Sequence, residues 1–259
     1  DRLNSQLNSQ TREEKDRFSA DISFVGSMYH KNSYDDIKDK LPPYLRGYFD
    51  AAMLAQLNIY GDNIIDELLT VDILKQLSEF VDFRQDKRAF SDIRLVFEST
   101  FLGFKLANIE RVRTLNLLAK KNKVALYTDE QDTSLINVDF KGTVDYMNDM
   151  PKVFNNSSIN LNMTIRNIRT GIPLRVWDIL GAGGFLLTNY QIELTDYFKN
   201  EESIVYYEDM YDCCKKAEYY LLHEDKRRQI AAKGHELVSK KHSYINRVKY
   251  ILDVIGKMS

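Results

Sequence analysis

The chain has 259 residues, of which 44% are hydrophobic and 29% are charged, so it has the composition of an ordinary globular protein that folds without disulfides. Its formal net charge of -2 argues against an extended nucleic-acid partner. The sequence contains no apolar run of the roughly 20 residues that a membrane span requires. The only cysteines, Cys213 and Cys214, are neighbours without a metal-binding spacing, and the polar first residues contain no signal peptide. Together these features predict a cytoplasmic protein.

The beginning of the chain changes character after residue 20. Residues 1–20 have few apolar side chains and are predicted to form a linker or a loosely attached helix. The sequence DISFVGS at residues 21–27 then predicts a short buried strand that ends in a turn at Gly26 and Ser27. Residues 21–259 are predicted to form one domain.

The middle of the chain is helical, and the second half alternates strands with helices. Apolar residues recur at intervals of three to four residues between about 34 and 121, and residues 93–118 predict one long helix or two in tandem. Further strands are predicted at 124–128, 138–140, 159–162, 185–188 and 204–207, with helices at 146–155, 172–180, 192–198, 210–222, 225–240 and 244–255. This alternation predicts a Rossmann-like α/β fold: a parallel sheet with flanking helices and a helical insertion after the first strand.

Open parallel sheets bind ligands beyond the carboxyl ends of their strands. The segment TGIPLRVWDIL at residues 170–180 follows the strand predicted at 159–162 and is therefore a candidate binding segment. Gly171 relaxes the backbone there, and Pro173 suits the first helical turn. Such a helix start offers free N–H groups to an anion, while Arg175 adds charge and Asp178 could accept hydrogen bonds from sugar hydroxyls. The same spacing also suits a purely structural ion pair between Arg175 and Asp178. The residues alone leave both interpretations open.

Two other segments suggest chemistry less strongly. The glycines at 181–184 precede a strand, whereas a dinucleotide-binding fingerprint requires them to follow one. A tight turn is therefore the first interpretation, and a close backbone approach to a ligand is the second. The acidic loop at 129–132 could hold a divalent metal, but loops of this kind are usually only solvated. We therefore predict no metal site.

The order of these segments resembles a known family. The sequences VDFKGTV at 138–144, SINLN at 158–162 and GIPLRVWDILGAGGFLLT at 171–188 are similar to the donor-binding domain of GT-B-fold, group 1 glycosyltransferases. The closest resemblance is to the CgeB-like, or spore-maturation-like, branch. The segments EDKRRQIA at 224–231 and KHSYINR at 241–247 fit that branch too. The similarity covers about residues 20–255.

The resemblance implies a role for individual residues. Gly26 and Ser27 would form the turn beneath the donor diphosphate, with Lys31 a weaker candidate, and the backbone near Gly142 would bind the base. Asp178 falls where the family's glutamate binds the ribose hydroxyls. The predicted donor-binding residues are Gly26, Ser27, Gly142, Asn162, Thr170, Gly171, Arg175, Asp178, Gly183, Gly184 and Thr188.

Two departures from the family pattern limit the prediction. Thr170 stands where the wider superfamily has a second glutamate that contacts the transferred sugar, so the identity of the sugar is open. Nothing before residue 21 could form the N-terminal acceptor-binding domain of a GT-B enzyme. We therefore expect the chain to be a fragment of a longer protein, with a partner chain as the less favoured explanation.

The resemblance implies a glycosyltransferase that takes a sugar from a nucleoside-diphosphate donor, with UDP preferred, and that needs no cofactor. The catalytic residues are not identifiable, and this chain alone would be an incomplete active site. The alternative from another functional class is a non-catalytic nucleotide-binding or scaffold module. A Rossmann dehydrogenase is disfavoured by the missing glycine fingerprint.

Overall fold

The residues that the structure describes include six parallel strands in one sheet. The computed structural model describes residues 2–81, 92–129 and 131–258, so part of the predicted helical stretch, residues 82–91, and Glu130 of the acidic loop lie outside the described residues. The strands are β1 (Ala20–Val25), β2 (Val124–Tyr127), β3 (Val138–Gly142), β4 (Ser157–Asn162), β5 (Leu186–Asn189) and β6 (Val205–Tyr207). Their order across the sheet is β3-β2-β1-β4-β5-β6. This order is that of the Rossmann fold and confirms the predicted fold class.

The strands β2 and β5 are short runs that are buried along their whole length, whereas β3, at the edge of the sheet, is only partly buried. Ile22 pairs with Val124 of β2 on one side and with Ile159 of β4 on the other, so β1 lies at the centre. Alternate residues of these strands pack into two hydrophobic cores, one on each face. The predicted strands match the observed ones to within two residues at each end.

Two helices precede the sheet, α1 (Arg2–Asn8) and α2 (Arg12–Phe18). A capping box starts α2, because Thr11 accepts a hydrogen bond from the Glu14 N–H and the Glu14 carboxylate accepts one from the Thr11 N–H. The buried ring of Phe18 anchors the end of α2 in the core. The division of the chain at residue 20 into linker and domain stays a prediction, although the first 20 residues contain these helices.

A helical segment separates β1 from β2, as the sequence predicts. Its described elements are α3 (Ser33–Ile37), a 3-10 turn (Lys38–Lys40), α4 (Pro43–Gln56), α5 (Ile65–Leu68), α6 (Val71–Ser78), α7 (Ile93–Val96), a π-helical stretch (Phe97–Gly103) and α8 (Phe104–Leu118). They enclose their own core, in which Leu45, Phe49 and Phe97 are fully buried. The stretch predicted as one long helix or two is thus continuously helical, with the π-helical residues between α7 and α8.

The remaining helices flank the sheet. They are α9 (Met150–Asn156), α10 (Leu174–Gly181), α11 (Leu194–Tyr197), α12 (Met210–Leu222), α13 (Glu224–Lys241) and α14 (Tyr244–Met258). The helix predicted from residue 146 begins only at Met150, because the Asp145 carboxylate accepts hydrogen bonds from the N–H groups of Met147 and Asn148 and holds a turn there. Among the described residues, no helix combines the length and the apolar character that crossing a membrane would require.

Candidate functional site

The carboxyl ends of β1 and β4 are neighbours at the switch in strand order, and a buried arginine joins the loops that follow them. Arg111 of α8 donates hydrogen bonds to the carbonyl oxygens of Ser27 and Met163, the latter at 2.8 Å. Its guanidinium also lies over the ring of Tyr29, with 4.8 Å to the ring centroid. Burial lowers the pKa of Arg111. No pattern in the sequence singled out this residue, since it is one of several charged side chains in α8.

The turn after β1 contains Gly26 and Ser27, as predicted. The Gly26 N–H donates to the Tyr127 carbonyl at 3.0 Å, which extends the pairing of β1 with β2 by one residue. The Ser27 hydroxyl accepts a hydrogen bond from the Tyr29 N–H at 3.3 Å, and Tyr29 has a left-handed φ of 49°. The turn is therefore held by its own side chain and by Arg111. Lys31 follows it on the exposed surface.

The first turns of α10 bring together a second group of side chains, here called the Asp178 cluster: Tyr146, Met150, Arg175 and Asp178. The Tyr146 hydroxyl donates to the Asp178 carboxylate at 2.9 Å, and Arg175 Nη1 lies 3.5 Å from Asp178 Oδ2. Arg175 also contacts the Met150 sulfur. The predicted proximity of Arg175 and Asp178 is thus present, and Tyr146 is a partner that the sequence interpretation missed. Its place in the loop after the third predicted strand was a signal that could have found it.

The Asp178 cluster is only partly open to solvent, and this changes its electrostatics. The Asp178 side chain is 22% exposed and that of Arg175 is 25% exposed. Burial raises the pKa of Asp178, although the hydrogen bond from Tyr146 and the charge of Arg175 oppose the rise. Burial also lowers the pKa of Arg175, and the nearby Asp178 partly offsets this. A half-buried carboxylate and guanidinium on the first turns of a helix can bind hydroxyls and an anion respectively.

The loop before α10 differs from its prediction at one residue. Pro173 has φ -59° and ψ 147°, so it is the N-cap residue and lies just outside the first helical turn. Gly171 has a left-handed φ of 88°, and its N–H donates to the carboxylate of Glu193. A side-chain anion thus already contacts this loop. Thr170 lies beside it and is exposed.

Asn162 and Thr188, at the ends of β4 and β5, belong to a buried hydrogen-bond network. The Asn162 amide donates to the hydroxyls of Thr164 at 3.0 Å and of Thr188 at 2.9 Å. Asn189 completes the network, because its side chain accepts from the Thr164 N–H and donates to the Thr164 carbonyl. This network fixes the loop after β4 to the end of β5. Binding of a donor by Asn162 or Thr188 stays a prediction.

The remaining predicted glycines lie at opposite ends of the strands: Gly142 at a carboxyl end, and Gly183 and Gly184 at an amino end. Gly142 ends β3 with a left-handed φ of 73° and has open space around it. Gly183 and Gly184 form the turn between α10 and β5, at the amino end of that strand and so at the opposite edge from Gly26 and Thr188. A Cβ on Gly184 would approach the Phe154 carbonyl to 2.6 Å, which explains the glycine by packing. The tight turn is therefore present, and a contact of these glycines with a ligand stays a prediction.

Two cavities adjoin these loops. The larger, the α10 cleft, has a volume of about 780 Å³ and is lined by the predicted residues Gly171 and Asp178, by Trp177 and by residues of α13 and α14. The smaller, the insertion pocket, has a volume of about 240 Å³ and lies at the carboxyl ends of β4 and β5, with residues 61–63 of the helical insertion forming one wall. Gly171 lines both cavities, so the loop before α10 separates them.

The acidic loop after β2 is arranged by internal hydrogen bonds. The Asp132 carboxylate accepts from the N–H and the hydroxyl of Ser134, and the Asn108 amide lies 3.4 Å from it. Within residues 2–81, 92–129 and 131–258, no three His, Cys, Asp or Glu side chains are grouped so that they could hold a metal ion.

Comparison with known proteins gives one family. The family model described as "Glycosyl transferase-like" matches residues 108–253, more than half of the chain and all of the predicted site except the turn after β1. A search of curated proteins found no significant match. Among solved structures, the chain is similar to the one titled "Crystal Structure of TarM", with 14% sequence identity and a TM-score of 0.45. That similarity covers 55% of this chain and 31% of the other, so the chain spans about a third of the length of that protein.

Proposed function

The chain belongs to the glycosyl transferase-like family, and from that premise we propose that it is the donor-binding part of an enzyme that transfers a sugar from a nucleoside diphosphate. The Asp178 cluster is the observation that carries the proposal. Its carboxylate is half-buried beside a guanidinium on the first turns of a helix that follows a strand of a Rossmann sheet. This is where open parallel sheets bind their ligands.

The chemistry of the cluster suits the two polar parts of a nucleotide. Asp178 can accept hydrogen bonds from a pair of ribose hydroxyls, because an ionised carboxylate offers acceptors on both oxygens. Arg175 supplies a positive charge next to the start of α10, where backbone N–H groups also favour an anion. In transfer, these groups and the turn at Gly26 and Ser27 would stabilise the charge that develops on the departing diphosphate. The scheme uses no metal ion.

The base would lie against the loop after β3. Gly142 has an open, left-handed backbone there, and Tyr146 of the same loop contacts Asp178. A flat base can therefore approach the backbone near Gly142 while its ribose reaches Asp178. We propose uracil as the base, and the CgeB-like branch as the relatives that share this donor site. The acceptor would bind to a second, N-terminal domain that completes the active site.

A calorimetric titration of the chain with UDP, GDP, ADP and NAD tests this proposal. We expect UDP to bind most tightly, and we expect Asp178→Ala to weaken UDP binding about tenfold or more, because truncation removes charged hydrogen-bond acceptors worth about 1.5–3 kcal/mol. Asp196→Ala, which removes an exposed aspartate from the neighbouring helix α11, is the matched control and should bind UDP like the wild type.

Two outcomes would contradict the proposal. Equal UDP affinities of the wild type and Asp178→Ala would indicate a scaffold module whose Asp178 serves packing alone. Preferential binding of NAD would indicate an oxidoreductase. A thermal unfolding curve of each variant shows whether a loss of binding comes from a loss of folding.

A further inference from the structure

The first helix of the chain, α1, contacts the loop after β3 through one side chain. The Gln6 amide donates hydrogen bonds to the carbonyl oxygens of Met147 at 3.3 Å and of Asn148 at 2.6 Å, although these residues lie 141 and 142 positions further along the chain. A single side-chain amide can make both bonds because it has two N–H donors. The segment predicted to be a linker or a loosely attached helix thus contacts the candidate site directly.

The turn that Gln6 contacts is held from two sides. The Asp145 carboxylate accepts hydrogen bonds from the N–H groups of Met147 at 3.1 Å and of Asn148 at 2.7 Å. Gln6 binds the carbonyl oxygens of the same two residues, so their backbone donors and acceptors are both paired. Because each peptide group is planar, every one of these bonds also fixes the direction of a neighbouring peptide. Tyr146, which lies between Asp145 and Met147, therefore has a restrained backbone.

Tyr146 connects this turn to the Asp178 cluster. Its side chain is 48% exposed, so packing alone does not fix the ring. Its hydroxyl nevertheless donates to the Asp178 carboxylate at 2.9 Å. A half-exposed tyrosine can adopt other rotamers in which its hydroxyl binds water instead. The place of the hydroxyl therefore depends on the backbone of its turn, and so on Gln6.

A second contact of the N-terminal helices supports Arg175. Lys152 of α9 lies 2.5 Å from the Glu14 carboxylate of α2, in a pair whose side chains are 14% and 34% exposed. Two other residues of α9, Met150 and Phe154, contact Arg175, and its guanidinium lies 5.4 Å from the centroid of the Phe154 ring. The helix α9 thus contacts both α2 and Arg175. Both charged members of the Asp178 cluster are therefore supported by helices that precede β1.

We propose that Gln6 is a positioning residue of the Asp178 cluster, which holds the turn at residues 145–148 so that the Tyr146 hydroxyl stays on Asp178. The link to donor binding rests on the proposed function, in which Asp178 binds the ribose and the base approaches the same loop. A donor then meets a loop and a carboxylate that are already in place, and binding costs less conformational entropy. The helices before β1 consequently contribute to donor affinity without touching the donor.

The first test is a calorimetric titration with UDP. It compares the wild type with Gln6→Ala, Tyr146→Phe and the double variant, and Asn8→Ala is the matched control because Asn8 is an exposed amide of the same helix. We expect Gln6→Ala and Tyr146→Phe each to weaken UDP binding about threefold to tenfold. The double variant should bind no more weakly than Tyr146→Phe, since Gln6 acts through Tyr146. Asn8→Ala should bind like the wild type.

The second test needs no ligand. Burial raises the pKa of Asp178, and the hydrogen bond from Tyr146 and the charge of Arg175 oppose that rise. Release of the Tyr146 hydroxyl should therefore raise the pKa of Asp178 further, in Gln6→Ala as in Tyr146→Phe. A general loss of stability would not move this pKa while the chain stays folded. NMR titration of the Asp178 carboxyl in the unliganded chain measures it, and a thermal unfolding curve shows that each variant is folded.

The two tests separate failure of this inference from failure of the proposed function. A pKa of Asp178 that rises in Gln6→Ala and not in Asn8→Ala supports the positioning role, even if UDP does not bind and the proposed function fails. If UDP binds to the wild type and Gln6→Ala changes neither the pKa nor the affinity, the inference is wrong and the proposed function stands. Equal losses of affinity from Gln6→Ala with Tyr146 and with Phe at position 146 would also overturn it. Absence of both UDP binding and a pKa change overturns both.

Discussion

Asp178 combines two properties that are usually in conflict. Burial raises its pKa and so disfavours its ionised form, while the proposed function needs that ionised form to bind hydroxyls. Ionised Asp178 therefore destabilises the folded chain. The stability linked to this group is fully present below its unfolded pKa and is lost as the pH rises through its folded pKa. Carboxylates that are retained at such a cost are typical of binding sites.

The raised pKa predicts how donor binding depends on pH. As the pH falls, Asp178 becomes protonated earlier than an ordinary aspartate does, because its folded pKa is higher. We expect UDP affinity to fall at a correspondingly higher pH. Calorimetry across a series of mildly acidic buffers, with the wild type and Asp178→Asn, measures this.

The comparison with Asp178→Asn is essential because UDP itself gains a proton in the same range. Protonation of UDP weakens binding to both proteins, whereas protonation of Asp178 weakens binding only to the wild type. Parallel curves for the two proteins would show that Asp178 does not titrate in the site.

At the residue scale, the sequence predicted a contact between two residues of one helix, but not the contacts between residues that are distant in the sequence. Arg175 and Asp178 were found because they share a helix, and helical spacing is a local property. Arg111 and Glu110 were missed because their partners, the loop after β4 among them, are distant in the sequence. Only the assembled sheet brings these residues together.

At the element scale, the packing of α13 on α10 depends on a glycine. A Cβ on Gly234 of α13 would clash with the Ser203 carbonyl and would approach Leu180 Cδ2 to 2.8 Å. The backbone of the loop before β6 cannot yield as a flexible side chain can. The absence of a side chain thus sets how closely α13 approaches the sheet.

This close approach predicts opposite effects for two glycine substitutions in helices. Gly234→Ala should destabilise the protein by about 1–3 kcal/mol, because overpacking outweighs the gain in helix propensity. Gly47→Ala, in α4 with nothing within 4 Å of the added Cβ, should stabilise it by about 0.5–1 kcal/mol. Thermal unfolding followed by circular dichroism measures both. A higher melting temperature for Gly234→Ala would show that the contact at Ser203 is not tight.

Element boundaries show where local sequence signals fail. Strands β2 and β5 were predicted closely because each is a short run that is buried along its whole length, whereas β3 is a partly exposed edge strand. The helix predicted at 192–198 is shorter in the structure and spans Leu194–Tyr197. The carboxylate of Glu193, just before this helix, accepts a hydrogen bond from the Gly171 N–H. Its apolar periodicity was real, but contacts with the loop before α10 decide where the helix begins.

At the scale of the whole molecule, a buried ion pair ties the helical insertion to the sheet. Glu110 of α8 lies between Arg166 of the loop after β4 and the hydroxyl of Tyr60, at 3.1 Å and 2.9 Å. The Arg166 guanidinium also lies over the Tyr60 ring, 3.9 Å from its centroid. The orientation of the insertion on the sheet therefore depends on charged groups as well as on apolar packing.

Removal of one member of this pair should be much more harmful than removal of both. Arg166→Met leaves Glu110 buried without its cation, and we expect a loss of about 3–5 kcal/mol of unfolding free energy. The double variant Arg166→Met/Glu110→Leu should recover most of this loss, because no uncompensated charge remains. Urea unfolding measures the single and double variants, with Glu110→Leu alone completing the cycle. Additive losses in the double variant would contradict the coupling.

The position of the helical segment between β1 and β2 has a consequence for how fast the chain folds. The central strand β1 has no partner nearby in the sequence: Ile22 must find Val124 and Ile159, both beyond the whole insertion. Because the paired residues are far apart in the sequence, the sheet has a high contact order. Closing such long loops costs conformational entropy before the strands can form hydrogen bonds. The insertion has its own core and local helical contacts, so it can condense first and shorten the effective search. We expect refolding in which helix formation precedes completion of the sheet, with β1 the last strand to be protected from hydrogen exchange.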